Sequence, residues 1–197
     1  MKEIVVATKN KGKIREMMDA FEGLDVRLVP LSSFGEMPDA VEDGETFDDN
    51  ALIKARFYME KTNMAALADD SGLMVDALGG APSVYSARFA GYHADDAANN
   101  EKLMAELSRV EREESKAAYR CSLAFVDTDG ATLMAHGSCE GVVRKVPRGT
   151  GGFGYDPYFY VGKDRTMAEL TLEEKDKISH SGEALREMAE KLKKYLE

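Results

Sequence analysis

Apolar positions along the chain follow two rhythms, one of short unbroken runs and one of residues three or four apart. Glu3 to Ala7 (EIVVA) is a run of the first kind and predicts a buried strand, while Ile14, Met17, Met18 and Phe21 recur at helical spacing soon after it. The chain thus opens as strand, loop, helix. Val26 to Pro30 predicts a second strand, and Phe47, Ala51, Ala55 and Met59 mark one side of a second helix. That helix opens on Thr46, with Asp49 three residues on in a capping-box pattern, and ends near Asn63. Met64 to Ala68 predicts a third strand, which Asp69-Asp70-Ser71-Gly72 breaks before Leu73, Met74 and Val75 resume. Asp95 to Leu107 predicts a helix with Asp95 and Asp96 in its first turn and Leu103, Met104 and Leu107 on its core side. Ala117 to Asp127 and Ala131 to Cys139 predict a hairpin around Thr128-Asp129-Gly130, and Val142 to Val146 and Tyr158 to Val161 add two strands. Thr171 to Lys175 is a capped helical turn, and Leu185, Met188, Ala189 and Leu192 lie along a last amphipathic helix.

The break after the third strand carries the most chemistry. In open α/β sheets ligands sit beyond the carboxyl ends of strands, so two adjacent carboxylates there suit a divalent cation or a general base. Asp at the first and Gly at the fourth position of DDSG also suit a plain type I turn. A second signal lies at the first helix, where Lys9, Lys11, Lys13 and Arg15 crowd the end at which the helix dipole disfavours positive charge. An anion would relieve that cost. Backbone N–H groups, the Thr8 and Asn10 side chains and Lys13 could wrap a polyphosphate, and removing Lys13 from the ligand-free protein should slightly stabilise it. Solvated surface lysines are the plainer alternative, and GxxxxGK[ST] is absent.

Other positions add to these two. Asn50 and Lys54 fall one turn apart on the second helix, so Lys54 either meets an anion or is solvated. Arg88 stands among apolar neighbours, where it snorkels or pairs with a carboxylate or phosphate. Around Phe153, GTGGFGYDP puts four glycines in six residues, offering an aromatic platform for a flat base with Asp156 beside it, or simply a tight connection into the next strand. His180 falls at the start of the last helix, where the dipole favours a neutral imidazole able to hydrogen-bond a base or to cap. His93 and His136 show no partner spacing.

With 197 residues the chain is long enough for one well-buried core, and a single domain over 1–197 is expected. A formal charge of −10 opposes nonspecific binding to nucleic acid or anionic membranes, because both need a basic field. No apolar run approaches the ~20 residues of a membrane span, and no signal peptide is visible, so a cytoplasmic protein is expected. Cys121 and Cys139 lack CxxC spacing and read as packed thiols.

Taken together, TKNKGK at 8–13, Glu42 ahead of TFDDNALIKA, ALADDSGLMVDALGGAPSVYSARF, GTGGFGYDPYF and LTLEEKDKISHSGEAL closely resemble the inosine triphosphate pyrophosphatase family over the whole chain. The resemblance implies an α/β fold, with an elongated mixed sheet flanked by helices, two lobes and a central active-site cleft. It implies a homodimeric, magnesium-dependent hydrolase that cleaves ITP, dITP and XTP to the monophosphate and pyrophosphate. Thr8, Lys9, Asn10 and Lys13 would hold the triphosphate, Glu42 and Asp70 the Mg²⁺, and Lys54 would neutralise phosphate. Asp70 would be the general base, with Asp69 raising the proton affinity of the pair and Ser71 ordering the phosphates. Phe153 would stack on the base, Asp156, Lys175 and His180 would line its pocket, and Arg88, Gly154 and Tyr155 would also bind the substrate. The family commonly carries Arg after this His; Ser181 stands there instead, which predicts weaker selection of the base. A nucleotide sensor without turnover would need the phosphate and base loops but not Glu42, Lys54 and Asp70 together.

Overall fold

The computed structural model describes residues 1–91 and 95–197, so His93 lies outside the described residues. Among the described residues, strands β1 (Lys2–Val6), β2 (Val26–Pro30), β3 (Ala65–Val75), β4 (Glu114–Val126), β5 (Thr132–Arg144), β6 (Phe159–Val161) and β7 (Arg165–Thr166) form one mixed sheet. Their order is β2-β1-β3-β4-β5-β6-β7. Helices α1 (Lys11–Ala20), α2 (Phe47–Thr62), α3 (Asp96–Arg109), α4 (Leu172–Ile178) and α5 (His180–Leu196) complete an α/β fold. No helix among the described residues is long and apolar enough to cross a membrane. The chain divides into two compact units, Met1–Asp70 with Cys121–Gly137 and Ser181–Glu197, and Ser71–Arg120 with Ser138–His180.

In the first unit β1 runs parallel to both neighbours, with Val5 opposite Val29 of β2 and Ala66 of β3. Two successive strand–helix–strand crossovers produce this arrangement, because parallel neighbours cannot be joined by a tight turn. The pleat sorts the apolar residues by parity. Ile4, Val6, Ala65 and Leu67 share a core with Met17 and Phe21 of α1 and Leu185, Met188 and Leu192 of α5. Val5, Ala66 and Ala68 share another with Ala51, Ala55 and Tyr58 of α2. His136, without a partner in its sequence spacing, lies 2.8 Å from Asp48 through Nε2.

The strand expected to stop at Ala68 does not stop there. β3 continues through Asp69-Asp70-Ser71-Gly72 to Val75, so the acid pair sits inside a strand and not in a turn. Each carboxylate finds a partner on a helix, which removes the local reason for a break. Being adjacent in a strand, they also point to opposite faces.

In the second unit Leu73, Val75, Leu103, Leu107, Tyr119, Tyr155 and Phe159 are the main core residues. The strand expected from Val142 is no separate element, since β5 runs unbroken from Thr132. Gly141 lies within it, where a Cβ would overlap Tyr160 O and come within 2.6 Å of Phe159 Cζ on the neighbouring strand. The glycine there serves close packing and not a turn. Cys121 and Cys139 are buried and free of a disulfide.

Candidate functional site

The loop leaving β1 is organised by its own side chains. Asn10 caps α1, its Oδ1 accepting from Gly12 N–H at 2.8 Å and Lys13 N–H at 3.3 Å, and Thr8 Oγ1 accepts from Asn10 N–H at 3.2 Å. The lysines beside it meet carboxylates supplied from far along the chain. Lys9 Nζ lies 2.6 Å from Asp39 Oδ1 in an exposed pair, and Lys13 pairs with the buried Asp69. Burial works to lower the Lys13 pKa, yet the charge and hydrogen bond of Asp69 outweigh it and hold the ammonium above the usual lysine range.

That pairing reverses the expectation that losing Lys13 relieves helix-end repulsion. Lys13→Ala takes the counter-charge from beside a carboxylate whose side chain is only 7% exposed. We expect the variant to be less stable by about 1–3 kcal/mol, read as a lower urea midpoint at unchanged m-value. A midpoint equal to or above that of the parent would show the pair to be a weak surface contact.

On the opposite face, α2 addresses Asp70. Asn50, buried to 1% exposure, donates from Nδ2 to Asp70 Oδ2 at 3.1 Å and accepts at Oδ1 from Gly44 N–H at 2.8 Å. One amide thereby ties the loop that carries Glu42 to the strand that carries Asp70. One turn further on, Lys54 Nζ lies 2.9 Å from Glu42 Oε2 and donates to Asp69 O at 2.9 Å. The four-residue spacing of Asn50 and Lys54 thus brings both to the middle of β3. Burial pushes the Asp70 pKa up to about 6; Lys54 and the Asn50 hydrogen bond oppose the rise, and the charges of Glu42 and Asp69 add to it. Asp69, turned to the other face, is a minor contributor.

These residues suit a hard divalent cation. Glu42 and Asp70 offer carboxylate oxygens, and the burial that raises the proton affinity of Asp70 leaves its charged form poorly solvated, a cost that a bound cation would relieve. Among the described residues no group of three or more His, Cys, Asp or Glu side chains is arranged to hold a metal ion alone. A cation that keeps water ligands and shares itself with phosphates needs no such cage.

In the second unit the glycine-rich loop converges on Asp156. This carboxylate, 4% exposed, takes the Tyr119 hydroxyl at 3.1 Å on Oδ1 and both Lys175 Nζ at 2.7 Å and Phe153 N–H at 3.1 Å on Oδ2. Gly152 has φ +71°, and a Cβ there would overlap Asp156 Oδ2, so only glycine lets the loop close over the carboxylate. Phe153 is left 66% exposed, with Lys175 Nζ 4.8 Å from its ring centroid. The His180 imidazole stacks on Tyr119 at 5.0 Å, with 12° between the rings. An exposed aromatic, an ammonium and an imidazole around a fixed carboxylate can stack on and hydrogen-bond a flat heterocycle.

The remaining predicted positions scatter more widely. Tyr155 is buried, donating to Ser86 O at 2.7 Å, and Gly154 offers backbone only. Arg88 ends a short 3₁₀ stretch, Ser83–Arg88, with its guanidinium 5.3 Å from the Tyr85 ring centroid. Ser71 is the first residue of the second unit, on β3. Ser181 lines a cavity of the first unit together with Lys13, Asp69 and Cys121. Sequence reasoning assigns no site role to Asn50 or Tyr119. Asn50 stands out there only by its spacing, although a polar side chain among Phe47, Ala51 and Ala55 signals a buried hydrogen bond. Tyr119 hides in the apolar alternation of β4, where nothing local marks its hydroxyl as bound to Asp156.

Residues 4–191 match the Ham1 family. The chain is 52% identical over 186 residues to the dITP/XTP pyrophosphatase of Geobacter sulfurreducens, covering 94% of each. It is 48% identical over 195 residues to that of Bacillus anthracis, covering 98% of this chain and 96% of the other. Among solved structures, a HAM1 protein from Coxiella burnetii is similar with a TM-score of 0.92 and 42% identity, over 98% of this chain and 100% of that one. The Ham1 protein of Staphylococcus aureus is similar with a TM-score of 0.89 and 38% identity, over the same shares.

Proposed function

The chain belongs to the Ham1 family, and on that premise we propose that it is a nucleoside triphosphate pyrophosphohydrolase, using Mg²⁺ to convert dITP, XTP and ITP to the monophosphate and pyrophosphate. It would act as a cytoplasmic homodimer and remove deaminated purines from the nucleotide pool. The observation that carries the reading is the division of the acid pair by β3. Asp69 faces Lys13, while Asp70, with its pKa raised to about 6, faces Asn50 on the helix whose Lys54 holds Glu42.

In this reading Glu42 and Asp70 would hold the cation, which would supply charge neutralisation on the phosphates and lower the pKa of water. Asp70 accepts a proton from the attacking water as the new P–O bond forms, and the bond between the α- and β-phosphates breaks to release pyrophosphate. Burial makes this carboxylate more basic than an ordinary aspartate, which suits that transfer at an oxygen the cation leaves unbound; at a bound oxygen the cation would oppose the shift. Lys13 and Lys54 offset charge on the phosphate oxygens; Thr8, Lys9, Asn10 and Ser71 are assigned to the triphosphate and Ser181 to selection of the base. Phe153 stacks on the base, with Lys175 and His180 at its edge and Asp156 fixing Lys175; Gly154 and Tyr155 support the loop, and Arg88 is assigned to the substrate's approach.

The test is pyrophosphate release from dITP, XTP, ITP, GTP and ATP, with Mg²⁺ and with a chelator. Release from the deaminated purines is expected to exceed that from ATP by roughly 10²-fold or more, since donors aimed at a 6-oxo group are left unpaired by a 6-amino group. Equal turnover of ATP, or undiminished turnover with the chelator, would overturn the assignment.

A further inference from the structure

We propose that Asp96 and Asn100 of α3 are positioning residues for base recognition, which grip the Gly154 peptide from both sides and so hold Phe153 as a platform. The proposal rests on the reading of Phe153 as the surface that receives the base.

The loop around Phe153 cannot fix its own shape. Gly152 and Gly154 flank the ring with φ of +71° and +61°, a region that glycine enters freely and leaves as freely. They have no side chains with which to pack, and Phe153 itself is exposed. Order must come from outside the loop. One anchor is Asp156, which accepts from Phe153 N–H. The next peptide is held by α3: Gly154 N–H donates to Asp96 Oδ2 at 2.7 Å, and Gly154 O accepts from Asn100 Nδ2 at 2.8 Å.

Asp96 and Asn100 are four apart, so both face the same way from one helix, and they are also tied to each other. Asn100 Nδ2 donates to Asp96 O at 2.9 Å as well. Both hydrogen-bonding groups around Gly154 are thereby engaged by a rigid element. Asn100 is buried, and its Oδ1 meets no hydrogen-bond partner among the described residues. A side chain retained only for packing would not carry an unmet buried acceptor, which is costly; what this amide contributes is its donors. Presenting Phe153 in advance removes the ordering that a glycine loop would otherwise undergo on binding, and the gain appears in affinity and not in the chemical step.

Asp96 is exposed at the start of α3, so Asp96→Ala should fold, and Asp96→Asn keeps an oxygen that can accept from Gly154 N–H. The experiment is a steady-state cycle on dITP hydrolysis with Asp96→Ala, Asp96→Asn, Asn100→Leu, Phe153→Ala and the Asp96→Ala/Phe153→Ala double variant. Asp96→Ala and Asn100→Leu are expected to raise KM roughly tenfold with kcat nearly unchanged, and Asp96→Asn to stay close to the parent. In the Phe153→Ala background Asp96→Ala should add nothing, because the clamp acts only through the ring. If Asp96→Ala raises KM equally with and without Phe153, or leaves it unchanged while Phe153→Ala raises it, the clamp is overturned and the platform stands. A Phe153→Ala variant with the parent's KM overturns the platform itself, and the clamp with it.

Discussion

Asp70→Asn is expected to lose pyrophosphate release by at least ~10²-fold and, at neutral pH without metal, to be more stable than the parent. Both effects have one cause. Burial and neighbouring carboxylates raise the Asp70 pKa from 3.8 to about 6, so above pH 6 the folded chain carries a charge that its unfolded form holds more easily. Between those values the folded state binds more protons than the unfolded state, and stability therefore falls as pH rises through that window. At about 1.4 kcal/mol per tenfold change in proton affinity, and with Asp70 partly open to solvent, the cost at neutral pH is about 1–3 kcal/mol. The substituted side chain escapes it while its amide oxygen still accepts from Asn50. Urea unfolding with a chelator present should show the variant more stable at pH 7.5 and the difference closing by pH 4. A variant that keeps its activity removes Asp70 from the chemistry, and a difference independent of pH removes the titration argument.

The acid pair also shows where sequence reasoning reached its limit. Apolar runs and helical stripes are local, and they located β1, α1, α2, β3 and the hairpin of β4 and β5. Whether two carboxylates end a strand depends on partners that a local window does not contain. Asp69 is matched by Lys13, 56 residues away, and Asp70 by Asn50, 20 away. The basic cluster on α1 failed in the same way. The helix-end lysines point to an anion, read from the sequence as a phosphate, whereas Asp39 and Asp69 supply anions within the protein, so two of those lysines are already compensated. Nothing local marks the role of Gly141, because the overlap with Tyr160 O that requires glycine there is tertiary. Asn50 and Lys54 were legible as a pair because four residues make one helical turn. Tyr119 was not, because its hydroxyl partner lies 37 residues on.

Asp156→Ala is expected to raise KM for purine triphosphates by at least roughly tenfold and to destabilise the protein by about 2–4 kcal/mol. The carboxylate holds three donors at once, so its removal leaves the Tyr119 hydroxyl, the Lys175 ammonium and Phe153 N–H to find other partners. Lys175, with its side chain 18% exposed, can turn toward water, which keeps the loss below that of a fully buried pair. Tyr119 cannot, because it is buried beneath the His180 ring. Asp156→Asn separates geometry from charge. With its oxygen toward Lys175 and Phe153 and its amide toward the Tyr119 oxygen, an asparagine satisfies all three contacts, since a hydroxyl both donates and accepts. What it loses is the negative charge that draws Lys175 down beside Phe153. The Asn variant should therefore stay close to the parent in stability while KM still rises by a few-fold, and the Ala variant should suffer in both. The kcat values should move least, because no atom of Asp156 is assigned to the phosphates. If stability falls in Asp156→Ala while KM for ITP, dITP and XTP stays at the parent's value, Asp156 serves the fold alone, and reading of the base must rest on groups other than the Lys175 that it holds.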